Sequence, residues 1–161
     1  MIVRAAKAED IPGMVSVLNP IIERGGTTAH TTPVSASDFS CWMNSDPELS
    51  AWSVAEERGL VLGMQWIVPN QSLPPEMCDI STFAHIENAR RGVGSALFSR
   101  TAEMARGLGY LSINASIRTD NALGLAYYSA LGFVDWSEKK NVTLKNGLIV
   151  DKVCKRYELA H

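Results

Sequence analysis

Apolar and polar positions divide the chain into strand-like and helix-like stretches. Residues 2–5 read as a short first strand. Ile11, Val15, Leu18 and Ile22 recur at helical spacing. Glu9 and Asp10 precede them, where acidic side chains meet the positive end of a helix dipole. Pro12 suits a helix start. Pro20 lacks the N–H that an interior position uses, which predicts a kink or a break near Asn19. Residues 25–33 form a polar loop. A second helix is expected over 35–44, with Phe39 and Trp42 inward and Ser45-Asp46-Pro47 as its end.

Residues 52–56 and 60–68 predict two strands joined by a tight turn at Arg58-Gly59. Residues 69–75 read as a loop and 77–84 as another strand. Val93, Ala96, Leu97, Thr101, Met104 and Ala105 mark a long amphipathic helix that ends near Gly107 or Gly109. A strand is expected over 111–117 and a helix over 121–131, closed by Gly132 as a C-cap. Residues 133–142 and 148–157 form a final antiparallel pair around Asn146-Gly147. The order is β-α-α-β-β-β-α-β-α-β-β, an α/β (α+β) chain with a mixed sheet and helices on its faces.

Composition narrows the class. At 161 residues the chain fits one domain, 1–161, with a sizeable core. A net charge of −2 argues against a general nucleic-acid binder and leaves room for a local basic pocket. Cys41, Cys78 and Cys154 are odd in number and read as packing residues in a reducing compartment, not as a disulfide framework or a zinc cluster. Residues 1–7 turn polar too soon for a signal peptide, and no apolar run is long enough to span a membrane. A cytoplasmic protein is expected. The terminal His161 is expected to be disordered.

The candidate chemistry centres on Ala89-Arg90-Arg91-Gly92-Val93-Gly94-Ser95-Ala96-Leu97-Phe98. Two arginines lead into a Gly-x-Gly turn that opens the long helix. Free N–H groups at a helix start, its dipole and the added positive charge describe a phosphate or pyrophosphate seat. No Gly-Lys-Ser/Thr follows, so it is not a Walker loop. Leu97 stands where a dinucleotide fingerprint has its third glycine. A Gly-x-Gly turn with solvated arginines remains the plainer alternative.

A second segment, Asn121-Ala122-Leu123-Gly124-Leu125-Ala126-Tyr127-Tyr128-Ser129-Ala130-Leu131-Gly132-Phe133, complements it. Together the two segments resemble the GNAT superfamily of acetyl-CoA-dependent N-acetyltransferases. Its signature is Gln/Arg-x-x-Gly-x-Gly/Ala, then Asn, a helical Tyr and Gly-Phe. The element order matches over essentially the whole chain, which implies a mostly antiparallel central sheet flanked by helices. One departure is Ala89 at the Gln/Arg position. Residues 19–28, 79–84 and 116–121 resemble the phosphinothricin and methionine sulfoximine acetyltransferase subgroup.

That resemblance implies roles for individual residues. Main-chain groups of Phe83, Ala84 and His85 would pair with the pantetheine arm of coenzyme A. Arg91, Gly92, Val93, Gly94, Ser95 and Ala96 would seat its pyrophosphate, and Asn121 would bind the cofactor through its amide. Ser95 and Asn121 are equally at home as helix-start caps. Tyr128 is the candidate for stabilising the leaving thiolate, with packing on the sheet as its alternative, and Tyr127 reads as packing. Asp79 occupies the place of the subgroup's catalytic Glu and is the candidate general base, or else a solvated carboxylate. Thr28 and His30 lie on a loop that edges the acceptor pocket. The four tryptophans read as core or pocket wall.

The implied reaction is direct attack of a small-molecule primary amine on bound acetyl-CoA. The acceptor is an amino acid or analogue such as phosphinothricin, methionine sulfoximine or the sulfone. No metal, nucleic acid or membrane partner is implied, and a homodimer is common in the family. The alternatives are a protein N-terminus, a polyamine or an aminoglycoside as acceptor, or a binding module that holds acyl-CoA without turnover.

Overall fold

A computed structural model describes residues 1–88 and 90–160. The readings made for Ala89 and His161 lie outside the described residues. The elements are β1 (Ile2–Ala5), α1 (Ile11–Arg24), α2 (Ala36–Met43), β2 (Ala51–Glu57), β3 (Leu60–Pro69), β4 (Met77–Ala84), α3 (Val93–Gly107), β5 (Ser112–Arg118), α4 (Ala122–Leu131), β6 (Val134–Thr143) and β7 (Ile149–Glu158). The order is the one read from the sequence.

Local chemistry sets several boundaries. Ser35 caps α2: its hydroxyl accepts from Asp38 N at 3.1 Å, and the Asp38 carboxylate accepts from Ser35 N at 2.8 Å. Arg58 and Gly59 both take positive φ, 51° and 81°, which matches a two-residue turn to the twist of β2 and β3. Asn121 caps α4 by accepting from Gly124 N, and Gly132 ends it at φ 105°.

Of the kink or break expected near Asn19, the break does not occur: α1 runs as one helix through Pro20. Two anchors hold the turn. Met14, Val17, Leu18 and Ile22 are buried on either side of the proline. Asn19 also clamps the Val34 backbone, donating to its carbonyl at 3.0 Å and accepting from its N–H at 2.8 Å. Pro20 lies on the exposed side of the helix.

The seven strands form one sheet in the order β1-β2-β3-β4-β5-β7-β6. Every neighbouring pair is antiparallel except β4 and β5, which are parallel. One core lies under α3 and α4 and includes Ile80, Phe98, Ile113, Tyr128 and Phe133. The other lies under α1 and α2, where Phe39 meets Trp42, Trp52 and Trp66 edge-on. Among the described residues no helix is long and apolar enough to cross a membrane.

The departure from regular pairing lies at the centre. β4 stays with β3 from Cys78 to Ala84, and β5 stays with β7 from Ser112 to Arg118. The two pair with each other only at Met77–Ser112, Cys78–Ile113 and Asp79–Asn114. Beyond Asp79 they part, which opens a V in the middle of the sheet.

Candidate active site

Backbone direction alternates along a strand, so the V exposes a defined set of main-chain groups. His85 N–H donates to the Leu62 carbonyl at 2.7 Å and therefore faces β3. The Glu76 carbonyl accepts from Leu111 N at 2.8 Å and faces β5. By the same alternation Ile80, Thr82 and Ala84 turn their main-chain groups into the V, and Phe83 turns its own to β3. Of Phe83, Ala84 and His85, Ala84 is the one whose main-chain groups face the V. His85 serves the chain itself, and its Nδ1 accepts from Glu87 N and Asn88 N, both at 3.2 Å.

At the open end of the V stands the start of α3. Gly92 takes φ 93°, with nothing near the place of a Cβ, and its carbonyl accepts from Ala96 N at 3.0 Å. The N–H groups of Gly94 and Ser95 have no acceptor among the described residues. Ser95 is exposed and does not cap the helix, because Gly92 is the N-cap. Arg90 is tied to Glu57 by an ion pair. Arg91 is exposed and has no ion pair among the described residues. Val93 is buried and packs beneath the turn with Leu97. The arrangement gathers main-chain donors and a guanidinium without an ion pair among the described residues, the chemistry an anion seat uses.

Two tyrosines join this seat to β4. The Tyr127 hydroxyl donates to the Gly94 carbonyl at 2.7 Å and accepts from Gln65 Nε2 at 3.0 Å. A Cβ on Gly94 would fall 2.5 Å from the Tyr127 ring. Tyr127 is therefore a clamp on the glycine turn and more than packing. Gln65, wholly buried, also donates to Thr82 Oγ1 at 2.9 Å, and Thr82 Oγ1 shares a 2.8 Å hydrogen bond with the Tyr128 hydroxyl. Burial pushes the Tyr127 phenol up to about 12 and the Tyr128 phenol higher, so both remain neutral donors.

Asp79 sits at the apex, on the opposite face of β4 from Thr82. Its carboxylate accepts from Asn114 Nδ2 at 3.0 Å and from Asn70 Nδ2 at 3.2 Å. Trp136 Nε1 donates to Asn114 Oδ1 at 2.9 Å, which fixes the direction of that amide. Burial raises the Asp79 pKa, against the two amide donors and the nearby Lys139 and Lys152. A solvated carboxylate does not describe it.

Beside Asp79 on this face is a cleft of about 270 Å³ lined by His30, Trp42, Trp52, Trp66 and Ser81, among others. Burial holds His30 below its usual pKa and so neutral. Thr28 is buried. Its hydroxyl accepts from His30 N at 3.2 Å and its carbonyl accepts from Arg118 Nη1 at 3.1 Å, so it shapes the loop that carries His30. Both ends of the Asn121 amide are engaged, accepting from Gly124 N at 2.9 Å and donating to the Thr27 carbonyl at 3.1 Å. Its cap reading holds, and it ties α4 to the same loop. Trp136, 40% exposed on β6, is neither core nor cleft wall. The three cysteines are free, and burial pushes the Cys78 thiol up to about 12, far from a nucleophilic thiolate.

Gln65 and Asn114 join the site unannounced by any sequence motif. The available signal was a polar residue inside a strongly apolar strand, as with Gln65 between Met64 and Trp66.

Comparison with known proteins bears on the family and the fold. The chain is 28% identical over 162 residues to a Bacillus subtilis protein named "Putative phosphinothricin acetyltransferase YwnH", covering 99% of this chain and 95% of that one. It is 22% identical over 147 residues to phosphinothricin N-acetyltransferase of Streptomyces viridochromogenes, covering 90% and 80%. The fold matches a phosphinothricin acetyltransferase of Sinorhizobium meliloti, solved with acetyl-CoA, at a TM-score of 0.86 and 23% identity, covering 99% and 88%. The match to the family itself runs over residues 20–133, through the parted strands, the glycine turn and the tyrosine helix, and the chain belongs to the acetyltransferase (GNAT) family.

Proposed function

We propose that this enzyme transfers the acetyl group of acetyl-CoA to the primary amine of an amino acid or analogue, with phosphinothricin, methionine sulfoximine and methionine sulfone as the leading acceptors. The observation that carries the reading is the V. Its mouth offers a main-chain anion seat, and its apex places Asp79 toward the aromatic cleft and the Thr82–Tyr128 pair toward the other face.

The residues present fit coenzyme A. Gly94 and Ser95 N–H with Arg91 would hold the pyrophosphate, and the free edge of β4 at Thr82 and Ala84 would hold the amide-bearing arm. Acetyl-CoA supplies the activated acetyl thioester. Asp79 accepts a proton from the amine as the nitrogen–carbon bond forms and the carbon–sulfur bond breaks. Tyr128, a neutral donor, hydrogen-bonds the departing thiolate. Holding two reactants in line supplies up to about 7–11 kcal/mol of such a barrier. That term needs only the cradle.

The direct test is release of coenzyme A thiol from acetyl-CoA against phosphinothricin, methionine sulfoximine, methionine sulfone, common amino acids, polyamines and a peptide N-terminus. Saturable turnover of an amino-acid analogue is expected. A flat response across these amines, with acetyl-CoA still bound, would overturn the small-amine reading and leave a protein acceptor or a non-catalytic binder. Gly94→Ala tests the seat separately. The new methyl group displaces the Tyr127 ring and breaks its bond to the Gly94 carbonyl. The expected result is a rise of about tenfold in KM for acetyl-CoA, the equivalent of one hydrogen bond of about 1.4 kcal/mol. KM for the amine should change by less than about twofold.

A further inference from the structure

Cations along β5 and β7 are mostly answered by carboxylates. Arg118 donates to both oxygens of Asp120, at 2.9 and 2.7 Å. Lys155 pairs with Asp135, and Arg156 pairs with Glu158. Lys152 is different. It is half-buried, and its ammonium has neither ion pair nor hydrogen bond among the described residues. In the strand register it stands between Arg118 of β5 and Lys139 of β6, two further positive charges. Register sets its side chain on the same face of the sheet as Asp79, next to Arg118, whose Nη1 donates to the Thr28 carbonyl of the loop that carries His30.

Such an arrangement is unfavourable when empty. A half-buried ammonium flanked by like charge loses solvation and gains no partner. Its pKa is lowered accordingly, by burial first and by Lys139 next. The carboxylate in reach, Asp79, is engaged by Asn70 and Asn114. An anionic group on a bound ligand would relieve the arrangement, and amino acids carry one a few bonds from the amine.

We propose that Lys152 is the specificity-determining residue for the acceptor, binding its anionic group while Asp79 faces its amine. The assignment rests on the acetyl-transfer reading above and adds to it the charge of the substrate. It predicts that polycationic amines are poor acceptors, since they would meet Lys152 and Lys139 together. Asp46, on the cleft wall, is a carboxylate that a neutral or polar side chain of the acceptor would face.

The test compares methionine sulfone with its carboxamide, in the native enzyme and in Lys152→Met and Lys152→Arg. The native enzyme is expected to favour the acid by about 10- to 100-fold in kcat/KM, the range for a hydrogen bond to a charged group. Lys152→Met should erase that preference through KM for the acid and leave KM for acetyl-CoA within about twofold. Lys152→Arg should keep most of it. Equal acid-to-amide ratios in the native and Met proteins would overturn the assignment while leaving acetyl transfer intact.

A binding arm covers the case of no turnover. N-Acetylmethionine sulfone, an anion without a reactive amine, is titrated against the tryptophan fluorescence of the cleft. Saturable quenching that weakens about tenfold or more in Lys152→Met supports the anion site. Equal quenching in both proteins, or none in either, overturns it.

Discussion

Asp79→Asn is expected to lower kcat/KM for the amine by about 10²–10⁴-fold, the span of a positioned general base. The substitution is nearly isosteric. Its amide oxygen still accepts from Asn114, whose direction Trp136 fixes, while the bond from Asn70 to the second oxygen is given up. What is lost is the ability to take a proton. The raised pKa gives the sign of the pH dependence. In the native enzyme kcat/KM falls as pH drops through the elevated Asp79 value, because the protonated carboxyl cannot act as base. In Asp79→Asn that limb disappears. Folding moves the other way. A carboxylate whose folded pKa is raised favours the folded state most below its unfolded pKa of about 3.9, and this is lost as pH rises through the folded value. Asp79→Asn should therefore melt no lower than the native protein at neutral pH. A variant with native turnover would assign the proton to solvent and leave Asp79 a structural acceptor. Steady-state rates across pH, read beside thermal melts, decide it.

Tyr128→Phe carries the second large effect. If the phenol stabilises the leaving thiolate, kcat drops by about 10²–10³-fold, as when one donor to a developing anion is removed. KM for acetyl-CoA should stay within about twofold, since the anion seat lies on α3. The ring keeps its contacts with Phe133 and Tyr127. Thr82 keeps its bond from Gln65, so the stability loss is about 0.5–1.5 kcal/mol. An equal fall in kcat and in acetyl-CoA affinity would reassign Tyr128 to packing. The neighbouring Tyr127 is the natural control. Removing its hydroxyl releases the Gly94 carbonyl and acts on the cofactor seat, not on the leaving group.

The two tyrosines show what sequence motifs reach. The spacing from Asn121 through Tyr128 to Gly132 separates the adjacent phenols, and the fold puts them to different uses. Asp79 was legible as a carboxylate on the right strand, but its partners were not. Asn70, Asn114 and Trp136 lie 9, 35 and 57 residues away from it in the chain, and strand register alone brings them together. Pro20 shows the reverse case. Its intrinsic cost is real, but the buried face of α1 and the Asn19–Val34 clamp outweigh it, and neither is a local property.

The sequence by itself determined the element order, the caps and turns, and the glycine turn at the start of α3, because each depends on residues within a few positions. It also carried the motif that marks the family. Only the tertiary structure decided which main-chain groups of β4 are free, since that follows from β4 and β5 parting beyond Asp79. It decided as well that Lys152, unlike Arg118, Lys155 and Arg156, has no carboxylate partner among the described residues. Both are facts of long-range pairing, where charges and hydrogen bonds are satisfied or left open by strands far apart in the chain.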